Sequence, residues 1–331
     1  MNFIFLRLRS LKIQIHMKKI LGIILILVAF VACKNDAQLN LEIAAIPVDI
    51  TIDRFDRLFA ATTPEELPIL QNKYPYLFSQ RYSDEFWVAK LSDTLQKELE
   101  REVDIAFKDV AQVEGDLELL YKHIQYYFPE TSVPKVISII TEVRNKVVLT
   151  DSLLLIGFDN YLGEDHYFYE GVQTYKAKNF RKEQIDVDVA HAFAKAYITR
   201  PKGATFLDQI VYEGKQLYLA EVLLSQKSTH EIFSYTADEY AFAEANEVNI
   251  WEFFVSSKSL YSTDKKLALR FIDPAPFSKF YLDFDNETPG RLGRYIGYKI
   301  VASYMNKNDI PLKTMLLQDA ETIFNKAKYK P

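Results

Sequence analysis

Apolar and polar positions alternate through Val48-Asp49-Ile50-Thr51-Ile52-Asp53-Arg54-Phe55, the pattern of a half-buried strand. The pattern then turns helical. Thr63-Pro64-Glu65-Glu66 reads as an N-cap with proline in the first turn, opening a helix that stops before Tyr74-Pro75. Residues 85–108 and 115–127 continue at helical spacing, with Leu117, Leu120, Tyr121, Ile124 and Tyr127 on one side. Branched apolar runs follow at 136–140, 147–149 and 153–157, separated by turn residues, and predict short strands. From residue 185 onward the period is again helical, over 185–199, 204–224, 237–256, 263–270, 289–306 and 318–328. Helices, a few strands, then more helices predict an α+β fold, predominantly helical, rather than alternating βαβ units. The expected globular part is 46–331, within which 46–130 reads as an N-terminal helical lobe.

The first residues follow a different logic. Met17 is the expected start, because Lys18-Lys19 and the run Ile20 to Ala32 then form the basic and apolar regions of a signal peptide occupying 1–32. That run is shorter than the ~20 residues a spanning helix needs. Phe30-Val31-Ala32-Cys33 resembles a bacterial lipobox, so Cys33 is the expected lipidation site and the start of the mature chain. Residues 33–45 then read as a lipid tether. Cys33 is the only cysteine, which excludes a disulfide within the chain.

Removing residues 1–32 takes away five basic residues and no acidic ones, leaving 35 Lys and Arg against 45 Asp and Glu, a formal charge of −10. This balance argues against nucleic-acid binding and against electrostatic adhesion to anionic lipid, so attachment to a membrane falls to the acyl anchor. Average usage of about 7% glycine would give roughly twice the 10 present, which fits long helices and few tight hairpins. The 21 Tyr and 23 Phe serve mainly as core and interface packing.

The candidate chemistry sits in Val189-Ala190-His191-Ala192-Phe193-Ala194-Lys195. A zinc-peptidase helix reads H-E-x-x-H, its two His binding the metal and its Glu activating water. Here His191 keeps the first ligand position, Ala192 replaces the general base, and Lys195 replaces the second ligand with a cation. Glu213 lies 18 positions after Lys195, where such peptidases take a third ligand from a second helix. The expected substitute for a metal is an ion pair between Lys195 and Glu213, direct or bridged by water, with His191 beside it. Farther on, Gly290, Gly293 and Gly297 read as positions of close helix packing, and the forked Arg291 and Arg294 as candidate binding residues. Asp159, Glu164 and Asp165 with His166 read as a solvated acidic loop, of which Asp159 is a further candidate binding residue.

Taken together, the lipobox, Asp159-Asn160-Tyr161-Leu162-Gly163, the Val189-to-Lys195 helix, Tyr212-Glu213-Gly214 and Pro289-Gly290-Arg291-Leu292-Gly293-Arg294-Tyr295-Ile296-Gly297-Tyr298 make the mature chain resemble the gliding-motility lipoprotein GldB family of Bacteroidetes. More distantly, residues 131–304 resemble predicted zinc-dependent proteases, with His191 and Glu213 matching ligands and Ala192 and Lys195 departing from them. The resemblance implies a degenerate zincin-like core and a lipoprotein anchored at a membrane and facing the periplasm. It also implies a non-catalytic role in gliding motility, associated with type IX secretion, whose partners are the membrane and other proteins of that machinery. No cofactor, small-molecule substrate or nucleic acid is implied. Two other readings stay open: a metal-dependent hydrolase using His191, Glu213 and a further ligand, and a periplasmic protein binding peptide or glycan in the vacated cleft. The missing general base at position 192 weighs against the hydrolase.

Overall fold

In a computed structural model of the chain, residues 39–331 are described, and the expected strands form a four-stranded mixed sheet in the order β1-β2-β4-β3. Strands β2 (Lys135–Ile139), β3 (Val147–Leu149) and β4 (Leu153–Gly157) fall on the three branched apolar runs. Of the alternating stretch before Phe55, only Ile52–Asp53 pairs, as β1. Strand β2 lies parallel to β1, with Val136 opposite Ile52, and parallel to β4, with Ile137 opposite Leu155. Strand β3 closes a hairpin antiparallel to β4 and leaves its own outer edge unpaired among the described residues.

Parallel neighbours require a crossover. Between β1 and β2 it is made by α1 (Phe55–Ala61), α2 (Leu67–Lys73), α3 (Asp84–Leu91), α4 (Thr94–Ala106) and α5 (Ala111–Tyr127). The helices before residue 130 therefore belong to the same compact unit as the rest, residues 48–331. Phe59, Leu67, Leu70, Tyr74 and Leu91 from this crossover pack with Ile137 of β2. The single helix expected over 85–108 is two, because the Asp93 side chain accepts a hydrogen bond from the Gln96 amide at 2.8 Å and caps a new start.

The remaining helices are α6 (Thr174–Ala177), α7 (Ile185–Tyr197), α8 (Phe206–Leu223), α9 (Thr229–Ile232), α10 (Ala237–Ala245), α11 (Glu247–Ser256), α12 (Lys266–Phe271), α13 (Leu292–Lys307), α14 (Leu312–Leu317) and α15 (Ala320–Ala327). The 237–256 prediction likewise splits, at Asn246. A reciprocal cap sets the start of α8: Thr205 Oγ1 accepts from the Asp208 amide at 3.2 Å, and the Asp208 carboxylate accepts from the Thr205 amide at 3.0 Å.

Helices α8 and α13 form the most extensive helix pair. The cause is the absence of two side chains. A Cβ built on Gly297 would stand 1.8 Å from the Ile210 carbonyl oxygen, and one on Gly214 would stand 2.2 Å from the Gly297 carbonyl carbon. The backbones touch there, as expected for the glycine series, and that contact aligns the charged residues beside it. Among the described residues no helix is long and apolar enough to cross a membrane. The signal segment and Cys33 lie outside the described residues, and residues 39–44 within the expected tether are helical.

Candidate functional site

Helix α7 is buried through Val187, Val189, Ala190, Phe193 and Ala194, which leaves Asp188, His191, Ala192 and Lys195 along a cleft of about 830 Å³. Helix α8 contributes Tyr212 and Glu213 to the same cleft, and the N-terminal turn of α13 contributes Arg291 and Arg294. The structure thus gathers into one place His191, Lys195, Glu213, Arg291 and Arg294, which the sequence had singled out separately.

The pairing among them differs from expectation. Lys195 is exposed, and Glu213 is engaged elsewhere: its carboxylate lies 2.8 Å from Arg294 Nε, with Arg294 only 7% exposed. The expected Lys195–Glu213 ion pair is not formed. The Gly214–Gly297 contact explains the exchange of partners, since Glu213 and Arg294 each sit within one helical turn of it. The Arg294 N–H points off the carboxylate oxygen, so the pair is electrostatic and the buried Nε lacks a hydrogen-bond acceptor. On the other side, Gln216 reaches the Glu213 carboxylate at 3.4 Å.

His191 is neutral. Burial, and then the nearby charges of Arg294, Arg291 and Lys146, push its pKa down to about 3. Its Nε2 lies 2.7 Å from the Ile232 carbonyl, which only accepts, so Nε2 carries the proton and Nδ1 the lone pair. A metal at Nε2 would have to displace this bond.

Arg291 occupies the N-cap of α13 in the left-handed region, at φ 66° and ψ 25°, an uncommon conformation for a residue with a side chain. Its Nε donates to the Ile272 carbonyl at 3.3 Å. Burial and the neighbouring Arg294 pull its pKa down to about 9. No ion-pair partner for it occurs among the described residues.

Asp159 is placed apart from this cleft and is not a solvated loop residue. It is fully buried and accepts hydrogen bonds from the Thr141 amide at 3.0 Å and the Val143 amide at 2.6 Å. Glu142 and Val143 there have φ of 55° and 59°, so the carboxylate holds a strained turn between β2 and β3. Burial raises the Asp159 pKa even against those bonds. Glu164 and Asp165 are exposed, as expected of a solvated loop.

Sequence reasoning missed three lining residues, Asp188, Lys146 and Arg200. Lys146 donates to the Asp188 carboxylate at 2.9 Å, and the Tyr161 hydroxyl donates to the same oxygen at 2.9 Å. Arg200 stands beside the Tyr212 hydroxyl. A signal existed for Asp188, which lies one turn before His191 on the same helical face. None existed for Lys146 or Arg200, which lie in connecting segments.

A zinc ion does not fit the residues present. His191 Nε2 is committed to a carbonyl, Glu213 to a guanidinium, and position 195 carries a cation. Among the described residues, no group of three His, Cys, Asp or Glu side chains is arranged to hold a metal.

The family model described as gliding motility protein GldB matches residues 36–331. No curated protein and no solved structure matches the chain.

Proposed function

We propose, because this chain belongs to the gliding motility protein GldB family, that it acts as a lipid-anchored, non-catalytic component of the gliding apparatus, associated with type IX secretion and descended from a zincin-like peptidase. The observation carrying the non-catalytic part is the state of the helix where a zinc peptidase keeps its chemistry. Ala192 offers no base, and His191 spends its proton-bearing nitrogen on the Ile232 carbonyl. Without a general base, water activation loses typically 100-fold or more. Elemental analysis of the purified chain is expected to give well under one zinc per molecule. Stoichiometric zinc that disappears in His191→Ala would refute the reading.

The anchor rests on Cys33 following the apolar run directly. Mass spectrometry of the native protein is expected to find an acylated N-terminus at Cys33. In Cys33→Ser, the protein is expected to leave the membrane fraction or to accumulate as unprocessed precursor. An unmodified cysteine, or cleavage well beyond residue 33, defeats the anchor assignment.

One observation favours a second role for the same molecule. The cleft over α7 is open and roomy, within the ~300–1,000 Å³ range of ligand sites. A cleft that has lost its catalytic groups but kept its space supports the binding of a ligand that is not turned over.

A further inference from the structure

The charge around this cleft runs against the rest of the chain. Three carboxylates line it, Asp188, Glu213 and Asp273, and two of them are already neutralised, by Lys146 at 2.9 Å and by Arg294 at 2.8 Å. Arg144, also on the lining, pairs with Glu142 at 2.6 Å. Arg291, Lys195 and Arg200 remain, none of them in an ion pair among the described residues. Only the exposed Asp273 stands against these three cations. A local excess of positive charge on a mature chain of formal charge −10 is a feature of the site, not of the composition.

The hydrogen-bond inventory points the same way. The Tyr212 hydroxyl is a buried donor without an acceptor, since its neighbour Arg200 can only donate to it. Arg294 Nε is a second buried donor without an acceptor. Arg291 uses Nε on the Ile272 carbonyl, while its two terminal nitrogens bond no other described residue. Buried donors are nearly always satisfied, and here two on one cleft, the Tyr212 hydroxyl and Arg294 Nε, wait for acceptors beside the free end of the half-buried Arg291 fork. An uncommon backbone conformation at Arg291 delivers its guanidinium to this place.

We propose that the cleft is an oxyanion-binding site, taking its ligand through a carboxylate or phosphate group held by Arg291, Arg294 and the Tyr212 hydroxyl, with Lys195 and Arg200 at its rim. Guanidinium forks match the planar or tetrahedral oxygens of either group, and a buried fork recognises them better than a surface ammonium does. The assignment rests on the binding role argued for the cleft and names the chemistry of what is bound.

Calorimetric titration of the full chain in detergent, with citrate and with inorganic phosphate, tests it. Saturable binding of at least one anion is expected, and the tighter of the two identifies the carboxylate or the phosphate as the source. Arg291→Gln is expected to weaken that binding roughly 10- to 100-fold, the range of a charge-assisted contact. Arg291→Lys, which keeps charge but loses the fork, should fall between. Arg200→Gln lies on the exposed rim, cannot unfold the core, and should weaken binding by a few-fold; thermal melts of each variant report folding separately. Wild-type affinity in both Arg291→Gln and Arg200→Gln, or no saturable binding of either anion, overturns the proposal. If a capped, uncharged tetra-alanine peptide binds where the anions do not, the oxyanion assignment fails while the cleft remains a binding site.

Discussion

Gly297→Ala is expected to destabilise the protein by about 3 kcal/mol or more, at the upper end of overpacking costs. The added methyl would meet the Ile210 carbonyl oxygen at 1.8 Å. That atom belongs to backbone inside α8 and has no rotamer to escape into, so the two helices must separate along their whole contact. Separation also draws Arg294 away from Glu213 and widens the cleft, so anion binding should weaken along with stability. Gly115→Ala supplies the internal contrast. Gly115 lies exposed inside α5 with nothing near its missing Cβ, and alanine there should stabilise by roughly 0.5–1 kcal/mol through helix propensity. Urea unfolding of both variants decides the matter. Equal midpoints for Gly297→Ala and wild type would show that the α8–α13 contact is looser than the structure has it.

The second large effect belongs to the Glu213–Arg294 pair. Breaking a buried pair by removing one partner costs about 3–5 kcal/mol, and the 21% exposure of Glu213 places this one near the lower end. The two single substitutions should not be equal. Arg294→Ala leaves Glu213 with Gln216 and the nearby positive charge of Arg291. Glu213→Ala leaves the buried Arg294 without its counter-charge and with the like charge of Arg291 nearby, and should cost more. The double variant should be milder than the sum of the singles by at least about 1 kcal/mol, the signature of direct coupling. Additive losses in a denaturation cycle would mean that the pair contributes nothing beyond its packing. Placing Lys195→Ala in the same series is expected to change stability by less than about 1 kcal/mol, since Lys195 is exposed.

Much of this architecture was legible because its cause is local. The three branched runs became β2, β4 and the edge strand β3, and helical spacing located α5, α7, α8 and α13 to within a few residues. Periodicity failed where a polar side chain ended a helix that the pattern would have continued, at Asp93 and at Asn246. At Asp93 the reason is that a cap acts over three residues, below the window in which a period can be read. The strand before Phe55 shrank to two residues because its pairing depends on β2, more than eighty positions away.

For the site, the sequence by itself determined that His191 and Lys195 share one face of α7, that Ala192 leaves it without a base, and that glycines at 293 and 297 allow another helix to come close. Each of these follows from residue type and helical spacing alone. Only the tertiary structure decided that Glu213 pairs with Arg294 and not with Lys195, that burial and the neighbouring cations hold His191 neutral, and that Asp159 secures a turn instead of facing solvent. Those outcomes turn on distances between elements far apart in the chain. At the Gly214–Gly297 contact, the absence of two side chains lets α8 and α13 touch, and this places a guanidinium from a third helix nearer to the carboxylate than the lysine one helix away.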